Sequence, residues 1–186
     1  MVDMTNEDRN INNLKQLQMN PALSQAAKLK AEDMATRGYF SHKSPDGLLP
    51  WYWFDKVGYD YEYAGENLAL NFGESSEVEK AWMNSPAHKA NLLHEKYSEI
   101  GIGIAEGEYQ GQKTIFVVQF FASPAVASAK VGSSAKTSAI KTSRKYGRLA
   151  SSVLEAGLLP FKGALEKKIL EKSLGGSFGQ PPVVLP

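Results

Sequence analysis

Residues 81–93 have the sequence AWMNSPAHKANLL, which predicts two helices that meet at a joint. Ser is a favourable N-cap, and Pro fits the first position of a helix, where its missing N–H costs nothing. Ser85-Pro86 therefore marks the start of the second helix, and His88 falls in its first turn. The partial positive charge of a helix N-terminus favours a neutral imidazole, the form that binds a metal ion or accepts a proton.

Helical spacing also predicts three helices before this joint. Apolar spacing predicts the first over Asn6–Gln18, and Asn20-Pro21 supplies an N-cap and first position for the second, which ends near Gly38. Ser76-x-x-Glu79 has the form of a capping box and predicts the start of the third. The buried face of the second helix is predicted to consist of Leu23, Ala26, Ala27, Lys30, Ala31 and Met34.

Alternating residues predict strands on either side of the joint. Residues 100–105 alternate Ile with Gly or Ala, and small residues on one face of a strand indicate close approach by another element. A turn at 107–112 leads to a returning strand at 114–121. Upstream, residues 58–63 alternate as an edge strand or an extended loop. The aromatic run 51–54 is interpreted as core packing, with a carbohydrate or lipid platform as the alternative.

Five motifs occur in one order along the chain, and together they resemble the CAP superfamily. This superfamily contains the cysteine-rich secretory, antigen and pathogenesis-related proteins, and the likeness is greatest to its bacterial, cysteine-free branch. The likeness covers about residues 6–122. It implies an α+β fold, an α-β-α sandwich with a small central antiparallel sheet, with 51–54 in a short helix packed on that sheet. The motifs are Ser41–Gly47, Gly65–Leu68, the joint at 81–93, Glu99–Gly103 and Phe116–Phe120.

Composition divides the chain into three parts. Residues 1–122 form the expected CAP (SCP-like) domain, 123–147 an Ala/Ser/Lys-rich linker, and 148–186 a basic C-terminal tail that is partly helical and partly extended. The first part carries 11 Lys and Arg against 17 Asp and Glu, a net charge of −6. Residues 123–186 carry 10 against 3, a net charge of +7. The tail could therefore dock on its own domain, on another copy or on an acidic partner.

Composition also limits the class of protein. The chain has no Cys, which excludes disulfide and thiolate chemistry. The first residues are acidic and no segment has about 18 consecutive apolar residues, so we expect neither a signal peptide nor a transmembrane segment in this chain. The family resemblance implies an extracellular or cell-surface location, with a place inside a virion or other assembly as the alternative. The basic tail lacks interleaved aromatic residues, so nucleic acid is not an expected partner.

The resemblance implies that four side chains share one cleft, two His and two Glu. By motif these positions fall on His42, Glu66, Ser85 and His88, and Asn67 next to Glu66 is expected to line the same cleft. Three of the four match. Ser85 stands where the family has its second Glu, so this chain lacks one negative charge and one metal ligand of the family pattern.

Three interpretations of this cleft remain open at the level of sequence. His42 and His88 could ligate Zn²⁺ or another divalent metal, with an open position for water. Glu66 could instead be a general base between the two His, which makes Glu66, His42 and His88 the candidate catalytic residues. Glu66 could also only anchor loops by accepting backbone hydrogen bonds. Ser85 is interpreted as an N-cap rather than a nucleophile, because no Gly-x-Ser-x-Gly elbow surrounds it.

These readings give three hypotheses for function. The first is a binding module whose cleft accepts a small ligand, a lipid or a glycan, with a divalent metal as a possible cofactor. The second is a metal-dependent hydrolase acting on peptide or cell-wall material. The third is a structural component of a bacterial or phage assembly. In each, residues 123–186 provide the contact with a protein partner or with another copy of the chain.

Overall fold

A computed structural model describes residues 1–125 and 183–185. The described strands form a single sheet in the order β1-β3-β4-β2-β5, in which only the β1–β3 pair is parallel. Helices pack on both of its faces, which confirms the predicted α+β class and the α-β-α sandwich. The elements are α1 (Val2–Ile11), β1 (Gln18–Met19), α2 (Pro21–Arg37), α3 (Trp51–Lys56), β2 (Tyr61–Leu70), α4 (Ser75–Met83), α5 (Pro86–Leu92), β3 (Glu99–Tyr109), β4 (Gln112–Pro124) and β5 (Val183–Leu185).

The sheet separates two hydrophobic cores. Side chains of α2 and α3 pack with one face, and side chains of α4 and α5 pack with the other. Because successive residues of a strand point to opposite faces, Phe120 and Phe121 of β4 belong to different cores. The aromatic run of α3 lies in the first core, where Phe54 contacts Phe120 edge-on with ring centroids 4.7 Å apart. This confirms its interpretation as core packing.

Helix α2 begins and ends where its local sequence predicts. The Asn20 side chain accepts hydrogen bonds from the backbone of Ala22 and Leu23, and Gly38 ends the helix with a left-handed φ of 64°. The helix backbone lies directly on the glycine face of β3. A Cβ added to Gly101 would come within 2.3 Å of the Leu23 carbonyl carbon, so only glycine permits this contact. The predicted close approach is therefore confirmed.

The first predicted helix, Asn6–Gln18, is wrong in its bounds. Helix α1 covers Val2–Ile11 instead, and Asn13 then adopts a left-handed φ of 58°. Asn tolerates this conformation better than most residues, so it can end a helix whose apolar spacing alone would continue. Ile11, the last residue of the helix, is 73% exposed.

The predicted capping box at Ser76 is also wrong, because α4 begins at Ser75 and has Glu74 as its N-cap residue. Glu79 does not turn back to the helix start. Its buried carboxylate instead accepts a hydrogen bond of 2.9 Å from the Thr5 hydroxyl of α1. A hydrogen bond between residues 74 positions apart in the sequence thus replaces the local capping bond.

Most of the predicted linker and tail lies outside the described residues and stays a prediction. The structure does describe Val183–Leu185, which pair with β2 on the side opposite to β4. The segment 58–63, predicted as an edge strand or loop, contains the start of β2. At Leu68–Leu70, β2 pairs with β4 on one side and with β5 on the other.

The glycine contact generates a prediction about stability. Gly103→Ala should lower the free energy of unfolding by at least about 1–3 kcal/mol, because its Cβ would lie 2.1 Å from the Ala27 carbonyl carbon. Gly73→Ala is the matched control, since the nearest atom to its Cβ is a flexible Glu77 carboxylate oxygen at 4.0 Å. Urea denaturation of both variants would measure the difference. Equal stabilities would show that α2 can move away from β3 at little cost.

Candidate functional site

His42 and Glu66 form a hydrogen-bonded pair. His42 lies in the loop between α2 and α3, and its Nδ1 donates to Glu66 Oε1 in a short hydrogen bond. Glu66 lies within β2, where its side chain is only 2% exposed, whereas the His42 side chain is 22% exposed. The pair therefore joins a loop to the sheet and leaves His42 as its more accessible member.

The third candidate residue, His88, lies in the opposite helical layer. It lies near the start of α5, is 1% exposed, and stacks on Trp82 with ring centroids 6.4 Å apart. Burial lowers the pKa of His88 to about 4; the backbone of Leu185 acts against this shift, and the nearby His42 adds to it. The imidazole is therefore neutral at neutral pH, as predicted, but burial rather than the helix terminus is the main cause.

Four nitrogen and oxygen atoms of these side chains are buried without a hydrogen-bond partner among residues 1–125 and 183–185. They are Nε2 of His42, Oε2 of Glu66, and both ring nitrogens of His88. Buried polar atoms in folded proteins almost always have a partner, because an unpaired one costs about 1–3 kcal/mol. Because four of the seven such atoms in the described residues belong to His42, Glu66 and His88, these residues are the candidate functional site.

The other two predicted cleft residues occupy different positions. Ser85 is the N-cap residue of α5 as predicted, but its side chain makes no capping hydrogen bond. Within the described residues, no hydrogen bond links its hydroxyl to His42, Glu66 or His88. The Asn67 side chain donates to Gln119 Oε1 at 3.1 Å and to the His88 carbonyl at 3.4 Å. Asn67 thus supports the backbone of α5.

Lys30 is a site residue that the sequence analysis did not assign. Its side chain is fully buried, and Nζ donates to the carbonyls of Ser41 and His42 at 2.9 and 2.8 Å. Burial lowers its pKa, while the charges of Glu66 and Asp33 raise it. The available signal was its place on the buried face of α2, because a buried Lys requires partners. Lys30 holds the loop that presents His42.

A series of hydrogen-bonded side-chain amides joins the elements that carry Glu66 and His88, and the sequence analysis did not predict it. Asn91 Nδ2 donates to the Glu66 carbonyl at 3.0 Å and to Asn67 Oδ1 at 2.9 Å. Gln119 continues the chain by donating to the Thr5 hydroxyl at 3.2 Å. These bonds connect α5, β2, β4 and α1. The sequence signals were a Gln inside the apolar strand β4 and an Asn three residues after His88, on the same side of a helix.

The arrangement does not fit the predicted metal site. Within the described part of the chain, no group of three or more His, Cys, Asp or Glu side chains has a geometry that could hold a metal ion. Zinc sites in proteins use three or four such ligands. His42 is close enough to His88 to influence its imidazole electrostatically, but the described side chains do not form the ligand set that a zinc enzyme needs.

Comparison with known proteins identifies the family. The model of the CAP family, described as the cysteine-rich secretory protein family, matches residues 2–120. The chain belongs to this family. It is 40% identical to the uncharacterized protein YkwD of Bacillus subtilis over 106 residues, which are 57% of this chain and 41% of that protein. Together with the absence of Cys, these matches confirm the predicted bacterial, cysteine-free branch.

Solved structures show the same fold. An extracellular protein of Bacillus anthracis with an SCP domain is 30% identical, with a TM-score of 0.55, over 65% of this chain and 38% of that one. An outer surface protein of Borrelia burgdorferi is 27% identical, also with a TM-score of 0.55, over 65% of this chain and 88% of that one. The chain spans 41% and 32% of its two curated relatives. Among the described residues, no helix is long and apolar enough to cross a membrane.

The buried His88 generates a prediction about pH. Below a pH of about 6.5 the unfolded state takes up a proton on His88, whereas the folded state resists protonation until a pH of about 4. The free energy of unfolding should therefore fall by about 3 kcal/mol between pH 7 and pH 4 through this residue. Urea denaturation of the wild type and His88→Asn at both pH values would measure it.

The comparison of the two proteins isolates the contribution of His88. Burial raises the pKa of Glu79 to about 7, which stabilises the fold at low pH and opposes the effect of His88. Both proteins contain Glu79, so its contribution cancels in the difference. An equal loss of stability in the wild type and the variant would mean that His88 takes up protons freely in the folded state.

Proposed function

We propose that this protein is a binding module that acts outside the cell or at its surface, and that its cleft binds an uncharged ligand rich in hydrogen-bond donors. The observation that carries the proposal is the set of unpartnered buried atoms on His42, Glu66 and His88. The surroundings support it: Lys30 holds the loop of His42, and Asn91 and Asn67 hold the strand and helix that carry Glu66 and His88. Such support is typical of binding sites.

The chemistry of these atoms suggests the kind of ligand. Oε2 of the Glu66 carboxylate is an acceptor. A neutral His88 offers one donor and one acceptor. Two acceptors and one donor on these two side chains suit hydroxyl and amide N–H groups, as in a glycan. A carboxylate or phosphate would meet acceptors and a negative charge.

Extracellular placement rests on the family and on two proteins of similar structure, an extracellular protein of Bacillus anthracis and an outer surface protein of Borrelia burgdorferi. Metal-dependent hydrolysis is not proposed, because the described side chains do not form a metal-ligand group. The assembly hypothesis depends on residues 126–182, which are outside the described part of the chain, and it stays a prediction.

Imidazole ¹⁵N NMR would test the proposed cleft with N,N′-diacetylchitobiose, an uncharged disaccharide with hydroxyl and amide donors. The signals of His42 and His88 should shift saturably, whereas the signal of His94, which stacks on Tyr97 away from the cleft, should stay unchanged. Glu66→Gln should weaken binding about tenfold or more, because a hydrogen bond to a charged acceptor contributes about 1.5–3 kcal/mol.

The control variant is Glu62→Gln, which makes the same substitution at an exposed position of the same strand. It should bind the disaccharide like the wild type. Acetate should not shift the two cleft signals. The proposal would be wrong if acetate binds better than the disaccharide, or if the signals of all three histidines move together.

Zinc calorimetry tests the metal hypothesis separately. Because the described residues provide no group of three or more ligands, we expect no saturable binding at micromolar Zn²⁺ that His88→Ala removes. The measurement should be made at pH 7.5, where the imidazole of His88 is neutral. A one-to-one titration in the wild type that is lost in His88→Ala would restore zinc as a ligand of this cleft.

A further inference from the structure

The outer edge of β2 carries a short strand from the far end of the chain. Val183, Val184 and Leu185 pair antiparallel with Leu70, Ala69 and Leu68. Without β5, the main-chain groups on this side of Leu68–Leu70 would form an unpaired sheet edge, which is a template for another strand. The sheet at this position can therefore accept an extended peptide segment.

Side chains of β5 anchor it to both layers of the sandwich. Leu185 packs against the core formed with α2 and α3, and Val184 packs against the core that contains Trp82. Val183 is 37% exposed and belongs to neither core. Backbone pairing together with pockets for successive side chains is the way proteins bind peptides by strand addition. The edge thus selects an apolar pair of residues at the positions of Val184 and Leu185.

The antiparallel register directs this segment toward the cleft. As β5 runs from Val183 to Leu185, its partners run from Leu70 to Leu68, and Glu66 is two residues further along β2 in that direction. The backbone of Leu185 already lies close enough to His88 to act on its imidazole. A segment on this edge therefore lies beside His88 and leads toward Glu66.

We propose that the outer edge of β2 at Leu68–Leu70 is a binding site for an extended apolar peptide, and that Val183–Leu185 of the same chain occupy it as a displaceable internal ligand. This site adjoins the cleft at His88, but its own binding groups are the main chain of Leu68–Leu70 and the two hydrophobic cores. Three residues form only a small ladder, so a longer peptide of the same pattern can compete for the edge. Tethering keeps the short internal segment in place, because its binding is intramolecular.

The test uses the full chain and a fluorescein-labelled peptide with the sequence of residues 180–186. In the wild type the edge is occupied, so the peptide should bind weakly. Leu185→Asp places a charge against an apolar core and should release β5, so the peptide should bind at least tenfold more tightly in fluorescence anisotropy. Val183→Asp is the matched control, with the same charge at the exposed position of the same strand. It should bind the peptide like the wild type.

Amide hydrogen exchange locates the binding. Exchange in 68–70 should be slow in the wild type, faster in Leu185→Asp, and slow again when the peptide is added. Leu185→Ala, a milder change, should show the same order with smaller differences and serves if the charged variant does not fold. Equal peptide affinity for Leu185→Asp and Val183→Asp, or protection at another strand, would overturn the proposal.

Sedimentation distinguishes the chain's own segment from that of another copy. The proposal expects a monomer at all concentrations with the 68–70 amides protected throughout. A concentration-dependent dimer, with protection that is lost on dilution, would overturn the internal assignment. Neither measurement involves the disaccharide, so a failure here leaves the proposed cleft unaffected, and a failure of the cleft leaves this edge unaffected.

Discussion

The contact between α2 and the glycine face of β3 is the constraint on which the site depends. Cβ atoms at Gly101 or Gly103 would overlap the α2 backbone, so their absence allows the helix to lie directly on the strand. This depth buries Lys30 completely, and its ammonium group can then be satisfied only by nearby oxygens, which include the carbonyls of Ser41 and His42. The position of the His42 loop thus follows from the close packing of α2, which contributes Lys30 to the site.

The other layer of the sandwich combines its hydrophobic core with a series of hydrogen-bonded amide side chains. Thr5, Gln119, Asn67 and Asn91 hydrogen-bond in series, with Glu79 at one end and the backbone of Glu66 at the other. Each buried amide has a partner, and removing one member would leave its neighbour unpaired at a cost of about 1–3 kcal/mol. α1 therefore contributes to the placement of α5 although it lies far from His88 in sequence. The two layers use different interactions to hold the two histidines.

Local signals in the sequence predicted those parts of the fold whose causes are local. Asn20-Pro21 and Gly38 bound α2, Ser85-Pro86 begins α5, and the alternation of small residues anticipates the contact of β3 with a helix. The first helix was wrong because a left-handed Asn13 interrupts a spacing that continues past it. The predicted capping box at Ser76 was wrong because the Glu79 side chain accepts its hydrogen bond from Thr5 on another helix. The order of the motifs identified His42, Glu66 and His88 as candidate site residues. Lys30, Asn91 and β5 were not identified, because their partners are distant in sequence and no local pattern contains them.

The cleft draws its groups from both layers: His42 comes from the loop between α2 and α3, His88 from α5, and Glu66 from the strand between them. Neither helical layer, docked alone on the sheet, contains the complete set. Contacts between residues so distant in sequence form late in folding, because the entropy of closing long loops must be overcome first. A molecule that has folded only one layer therefore has half a site. The three candidate residues therefore come together only in the completely folded molecule.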